Sequence, residues 1–330
     1  MSAPRPTVLA VALLVVVAAG ACGRGAEPSP PERISPLIET PRPVGAQDPA
    51  VVPSVTSAPP GSCDARASLR PRGGLPAPGA MPAGSTMAKI VQRGRLIAGV
   101  DQNTFMFGFR DPFTGQLTGF DVDVAREIAR ALFGDPDRIQ FKTITSADRI
   151  PAIQRGEVDI VVRTMTMTCE RLRQVAFSTE YFTAGQRVLV TRDSPVRSMA
   201  DLGGKKVCAT AGSTSIQTVA AAASHPVPVS VVDWTDCLVM LQQGQVTAIS
   251  TDDTILAGLA AQDPDTRITG PKITEEPYGV AMAQSADDLV RFVNGVLERM
   301  RTDGTWLTMY RRWLAELGPA PPPPAARYRD

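Results

Sequence analysis

Histidine is almost absent from the chain, and the single one, His225, stands beside Pro226 in a loop. The five cysteines show no CxxC or Cys/His spacing, so nothing here has the ligand pattern of a zinc site. Neither sign of charge is in excess: Lys and Arg number 34, Asp and Glu 33, and the net charge at pH 7 is +1. The basic residues are scattered, and nothing draws the chain onto nucleic acid or an anionic membrane surface. Long apolar runs are lacking too. The run Val8 to Ala19 has about 12 residues, short of the roughly 20 that a membrane-spanning helix needs.

That run follows Arg5 and stops at the small residues Gly20 and Ala21, the layout of a signal peptide over 1–21. Ala19-Gly20-Ala21-Cys22 resembles a bacterial lipobox, with Ala19 where lipoboxes usually carry Leu. The resemblance implies lipidation of Cys22 and an extracytoplasmic protein anchored to the cell membrane; the alternative is ordinary cleavage at a small-residue site. Residues 22–85 are rich in Pro, Ala, Gly and Ser without hydrophobic periodicity and read as a tether, extended by its prolines. The tail 318–330, with Pro321 to Pro324, reads as extended as well.

Between these lies a patterned stretch long enough for two packed domains. Short apolar runs alternate with amphipathic ones, the mark of an α/β protein with parallel sheet. Strands are expected at Leu96–Val100, Ile139–Ile144 and Val158–Val162, then at Gln186–Val190, Val207–Ala209, Val229–Val232 and Ala248–Ser250, and last at Tyr278–Met282. Helices are expected at Phe120–Leu132, Asp148–Arg155, Ser213–Ala223, Trp234–Gln242, Thr254–Ala261, Asp287–Met300 and Thr305–Glu316. Open α/β sheets bind ligands beyond the carboxyl ends of their strands, which selects Asp101, Thr145-Ser146, Arg163 to Thr168, Thr210 to Ser215 and Thr251 to Asp253. These are acids, arginines and hydroxyls, with no Ser/His/Asp set and no nucleophile beside a base. Such a group binds rather than reacts.

Gly119-Phe120-Asp121-Val122-Asp123-Val124-Ala125, Ile150 to Asp159, Thr164 to Arg171, Phe177-Ser178, Asp201 to Val207, Gly212 to Ser215, Thr251 to Gly258 and Asp303-Gly304-Thr305-Trp306 form an ordered series. The series resembles the solute-binding proteins of polar amino acid ABC transporters, the family of the glutamine- and glutamate/aspartate-binding proteins, and covers about residues 86 to 317. The resemblance implies a two-lobed periplasmic-binding-protein-like clamp with a two-segment hinge near Tyr181–Gln186 and Glu275–Gly279. Lobe one would be 86–180 plus 280–317, and lobe two 187–274. It implies a monomer without cofactor that captures a free amino acid and hands it to a membrane permease and ATPase. A lipoprotein sensor signalling through a membrane protein and an enzyme on the same fold, such as a cyclohexadienyl dehydratase, are the alternatives.

By the same resemblance, Arg171 meets the ligand's α-carboxylate through its planar fork. Thr166 adds a hydroxyl and a backbone N–H, and the Thr164 carbonyl faces the ammonium. Thr214 and Ser215 offer unpaired N–H groups at a helix start, where Ser213 could instead be a simple cap. Asp252 pairs with the ammonium, with Asp253 its rival, and Phe107 closes over the ligand unless it is one face of a strand. For the side chain, Ser146 and Arg149 match the glutamate/aspartate branch and Arg163 adds charge, whereas Asp101 suits an amide. Glutamate and aspartate are therefore expected first, glutamine and asparagine next. Four cysteines allow three connectivities; bridges within lobes leave a hinge free, which favours Cys208 with Cys237 and Cys63 with Cys169.

Overall fold

The computed structural model describes residues 40–53 and 63–330, so the expected signal peptide and Cys22 lie outside the described residues. In the first lobe, strand Leu96–Val100 lies between parallel neighbours Ile139–Thr143 and Ile160–Val161. Ala281–Met282 returns late in the chain and runs antiparallel between Ile160–Val161 and Ala176–Phe177. Helix Phe120–Phe133 covers the sheet. Its Phe120, Val124, Ile128 and Leu132 recur at helical spacing, and all are fully buried. Each such side chain contributes about 1.5–3 kcal/mol. The helix starts after Gly119, whose φ is 127° and where a Cβ would fall 2.2 Å from the Phe107 carbonyl oxygen. It stops at Gly134, a left-handed cap. Helices Asp287–Thr302 and Thr305–Trp313 pack beside it.

The second lobe has its own five-stranded sheet, in the order Val227–Val231, Lys206–Thr210, Ala248–Asp252, Gln186–Thr191, Thr266–Thr269. The first three are parallel and Gln186–Thr191 is antiparallel to both its neighbours. Helices Thr214–Ala221, Trp234–Gln242 and Asp253–Gln262 each follow a strand. Cys208, on a strand, is bonded to Cys237, on helix Trp234–Gln242, with Cα atoms 5.6 Å apart. Cys63 is bonded to Cys169.

Between the lobes, Phe182–Ala184 pairs antiparallel with Glu276–Tyr278. The stretch Tyr278–Met282, expected as one strand, is split. Its first residue ends the inter-lobe pair and Ala281–Met282 joins the first sheet, with Gly279 between them in a place where a Cβ would lie 2.5 Å from Met167 Sδ.

The segment expected as a tether packs on both lobes among its described residues. Residues 40–53, read as free tether, lie on the second lobe: Gln47 and Ser230 exchange backbone hydrogen bonds of 2.8 and 3.0 Å, and Ala50 N–H donates to Pro228 at 2.8 Å. Ala46 and Val52 pack on that lobe's core. Residues 63–85 lie on the first lobe, where Ala67–Ser68 pairs in parallel with Arg327–Tyr328 of the tail 318–330, and Leu69, Leu75 and Met81 reach the core. Helix Thr86–Arg93 follows, capped by Ser85 and Gly94. These segments show no periodicity because they borrow a sheet edge or each other for backbone pairing and place single apolar side chains instead of building a stripe.

Candidate functional site

The carboxyl ends of the parallel strands of both sheets face each other, and the polar residues that follow them meet there. Arg171 is delivered by the short helix Cys169–Leu172, whose cap Thr168 accepts the Arg171 N–H at 3.1 Å. Its guanidinium donates to the Thr166 carbonyl at 2.7 Å and, across the lobes, to the Gly212 carbonyl at 3.3 Å. Arg149 is spread over four carbonyls: Ser146 at 2.9 Å, Arg163 at 3.3 Å, Thr164 at 3.4 Å and Gly212 at 3.2 Å. Burial lowers the pKa of both groups. Arg149 falls well below the usual arginine range because Arg171 and Arg163 add repulsion, whereas Glu276 and Asp252 oppose the fall at Arg171.

Arg163 is fully buried and donates to the Ile144 carbonyl and to Ser146 Oγ, both at 2.7 Å. Its Nη2 lies 2.9 Å from Asp101 Oδ2, close enough for an ion pair although not aligned as a hydrogen bond. Asp101 also accepts from the backbone N–H groups of Gln102 and Asn103 and from the Thr104 hydroxyl. Thr210 of the second lobe donates to Ser146 Oγ at 3.2 Å.

On the second lobe, Asp252 ends its strand and accepts the Tyr278 hydroxyl on Oδ2 at 2.5 Å. Its Oδ1 is buried with no hydrogen-bond partner among the described residues. Burial, then the charge of Glu276, raise its pKa to about 8 against the opposing Tyr278 hydrogen bond. Thr214 opens helix Thr214–Ala221, with Ser213 as the side-chain cap, and Ser215 bonds Thr251 at 3.0 Å.

The structure thus brings Asp101, Ser146, Arg149, Arg163, Thr164, Thr166 and Arg171 of one lobe toward Thr214 and Asp252 of the other, while Ser215 bonds within its own lobe. Phe107 is a correction. It is fully buried in the first lobe's aromatic core, 5.4 Å from Phe182, 5.8 Å from Phe120 and 6.0 Å from Tyr278, so packing occupies the ring expected to act as a lid.

Three residues of the site were missed. Glu276 falls in the expected hinge crossing Glu275–Gly279, and Tyr278 in that crossing and at the start of the expected strand Tyr278–Met282; neither position carries a local signal of a binding role. From the sequence alone, Asp121 is a charge at the helix start. It is buried, accepts the Tyr181 hydroxyl at 2.7 Å and the Thr164 N–H at 2.8 Å, and burial raises its pKa to about 6. It holds Thr164 at φ 38°, an unusual conformation for a β-branched residue.

Residues 96–316 match the bacterial extracellular solute-binding proteins, family 3. The chain is 38% identical over 232 residues to the ABC transporter glutamine-binding protein of Bacillus subtilis, covering 70% of this chain and 85% of that one. It is 28% identical over 255 residues to the glutamate/aspartate import solute-binding protein of Salmonella typhimurium, covering 74% and 83%. A solved ancestral arginine-binding protein bound to glutamine is 35% identical with a TM-score of 0.63, covering 67% of this chain and 98% of that one.

Proposed function

Because the chain belongs to the bacterial extracellular solute-binding proteins of family 3, we propose that it captures a free amino acid between its lobes, glutamine ahead of glutamate and aspartate, and delivers it to an ABC permease. The observation that carries this reading is the pair Arg171 and Asp252, a guanidinium from one lobe and an underpartnered carboxyl from the other. Every free amino acid presents the complementary carboxylate and ammonium on one carbon. A ligand touching both lobes binds the closed form better than the open one, which is what shifts a clamp's population.

The order of ligands reverses the expectation from the sequence. Arg163 is paired with Asp101, Arg149 is spread over carbonyls, and three guanidiniums face Asp101, Asp252 and Glu276. Glutamine enters without net charge, whereas glutamate brings an extra anion into a buried, balanced site. The greater identity to a glutamine-binding relative supports the same order. In this reading the protein works outside the cytoplasmic membrane, tethered through a lipid on Cys22, as a binder and not a catalyst. A melting-temperature screen of the full chain against the common amino acids tests it: glutamine gives the largest rise, and no rise with any of them refutes the reading.

A further inference from the structure

We propose that Glu276 is a positioning residue that turns two threonine hydroxyls, one from each lobe, into acceptors for the ligand's ammonium group; this rests on the amino-acid reading above. Glu276 stands in the inter-lobe strand Glu276–Tyr278 and is 3% exposed. Its Oε2 accepts the hydroxyl of Thr166 at 2.6 Å and that of Thr214 at 3.0 Å, and its Oε1 accepts that of Thr274 at 2.5 Å. A carboxylate only accepts, and a hydroxyl has one proton to give. The protons of Thr166 and Thr214 are therefore both committed to Glu276. Their oxygens, 3.5 Å apart, have no proton left for each other and present lone pairs alone.

The neighbouring groups fit the same polarity. The Thr166 carbonyl is taken by Arg171, and Thr166 is bridged to Tyr278, whose hydroxyl donates to Asp252. Two hydroxyl oxygens, one from each lobe, make a pair of acceptors, and Asp252 adds a buried Oδ1 with no partner among the described residues; acceptors of this kind suit a cation with three N–H donors. In this proposal the Thr166 hydroxyl does not donate to the α-carboxylate, because its proton is held by Glu276. The α-carboxylate is left to Arg171 and to backbone N–H groups. Discrimination follows: a ligand without the amino group leaves the acceptors facing one another with nothing between them.

The test compares glutamine with glutaramate, the same skeleton lacking the amino group, by calorimetry and by displacement on the full chain. In Glu276→Gln the amide can direct a donor at the threonines, so the preference for glutamine over glutaramate should shrink on the order of 10- to 100-fold while glutaramate changes little. Thr166→Val, which keeps the shape and removes the hydroxyl, should reproduce the effect, and the double variant should lose little more than either single one. Equal weakening of both ligands in Glu276→Gln and in Thr166→Val would overturn the inference while leaving the amino-acid reading intact. Additive losses in the double variant would overturn it too, by showing that Glu276 meets the ligand itself. If glutamine fails to bind the wild type, both fall together.

Discussion

Asp252 sits in the second lobe with its pKa raised from 3.8 to about 8, by burial first and by Glu276 second. A ligand ammonium reverses that by favouring the anion, so binding glutamine near pH 7 should release close to one proton. Calorimetry in buffers of different ionisation enthalpy measures this, and Asp252→Asn should abolish it. For the ligand-free protein the sign runs the other way. An acid with a raised folded pKa takes up a proton on folding, so its contribution is full below 3.8 and lost as pH rises to about 8. Arg149, expected to read the ligand's side chain, is engaged elsewhere in this structure. Its donors are spread over four carbonyls, one of them in the opposite lobe. Arg149→Ala should therefore weaken glutamine, asparagine, glutamate and aspartate by similar factors, leaving their order unchanged in parallel titrations; selective loss of the two acids would restore the side-chain role.

Helix Asp253–Gln262 packs within its lobe and also approaches the other one. Gly258, within it, would carry a Cβ 2.8 Å from the Phe105 carbonyl oxygen of the other lobe. Alanine is the better helix former by about 1 kcal/mol. Gly258→Ala should thus keep or raise the ligand-free melting temperature yet weaken glutamine on the order of tenfold, since the clash exists only when the lobes meet; unchanged affinity would mean the approach does not matter. Elements of this kind were legible where one face is buried against one neighbour. Phe120–Phe133 and Trp234–Gln242 repeat their apolar residues at 3.6 and carry clear caps or starts. Short pieces were not legible, because Ala176–Phe177, Phe182–Ala184 and Glu276–Tyr278 hold too few residues to show a period and are fixed by partners distant in sequence. The site followed the same division. Residues just past long strands, such as Arg163 and Asp252, could be placed, whereas Glu276 depends on a pairing with Ala184 that no local pattern reveals.

At the scale of the whole molecule, the described residues ahead of the matched region are seated on both lobes. Besides the paired strands, residues 40–53 rest on the second lobe, and Cys63, Arg66 and Ala67–Ser68 rest on the first. Asp48 bonds Lys206 at 2.6 Å in the second lobe, while Arg66 reaches Glu275 at 2.6 Å and Glu180 at 3.6 Å, acids that each stand just before a crossing strand. Both anchorages lie outside the matched region 96–316. A link that holds both lobes limits opening, so a chain beginning at residue 54 should open further, with a larger radius of gyration by small-angle scattering and a few-fold weaker glutamine affinity. Identical scattering with and without the segment would show that it restrains nothing. Capture of an amino acid by its α-carboxylate in the cleft is tested most directly by titrating glutamine into the wild type and into Arg171→Ala. Removing one partner of a buried charge pair costs about 3–5 kcal/mol, so affinity should fall by on the order of 10²- to 10³-fold; undiminished binding to Arg171→Ala would contradict it.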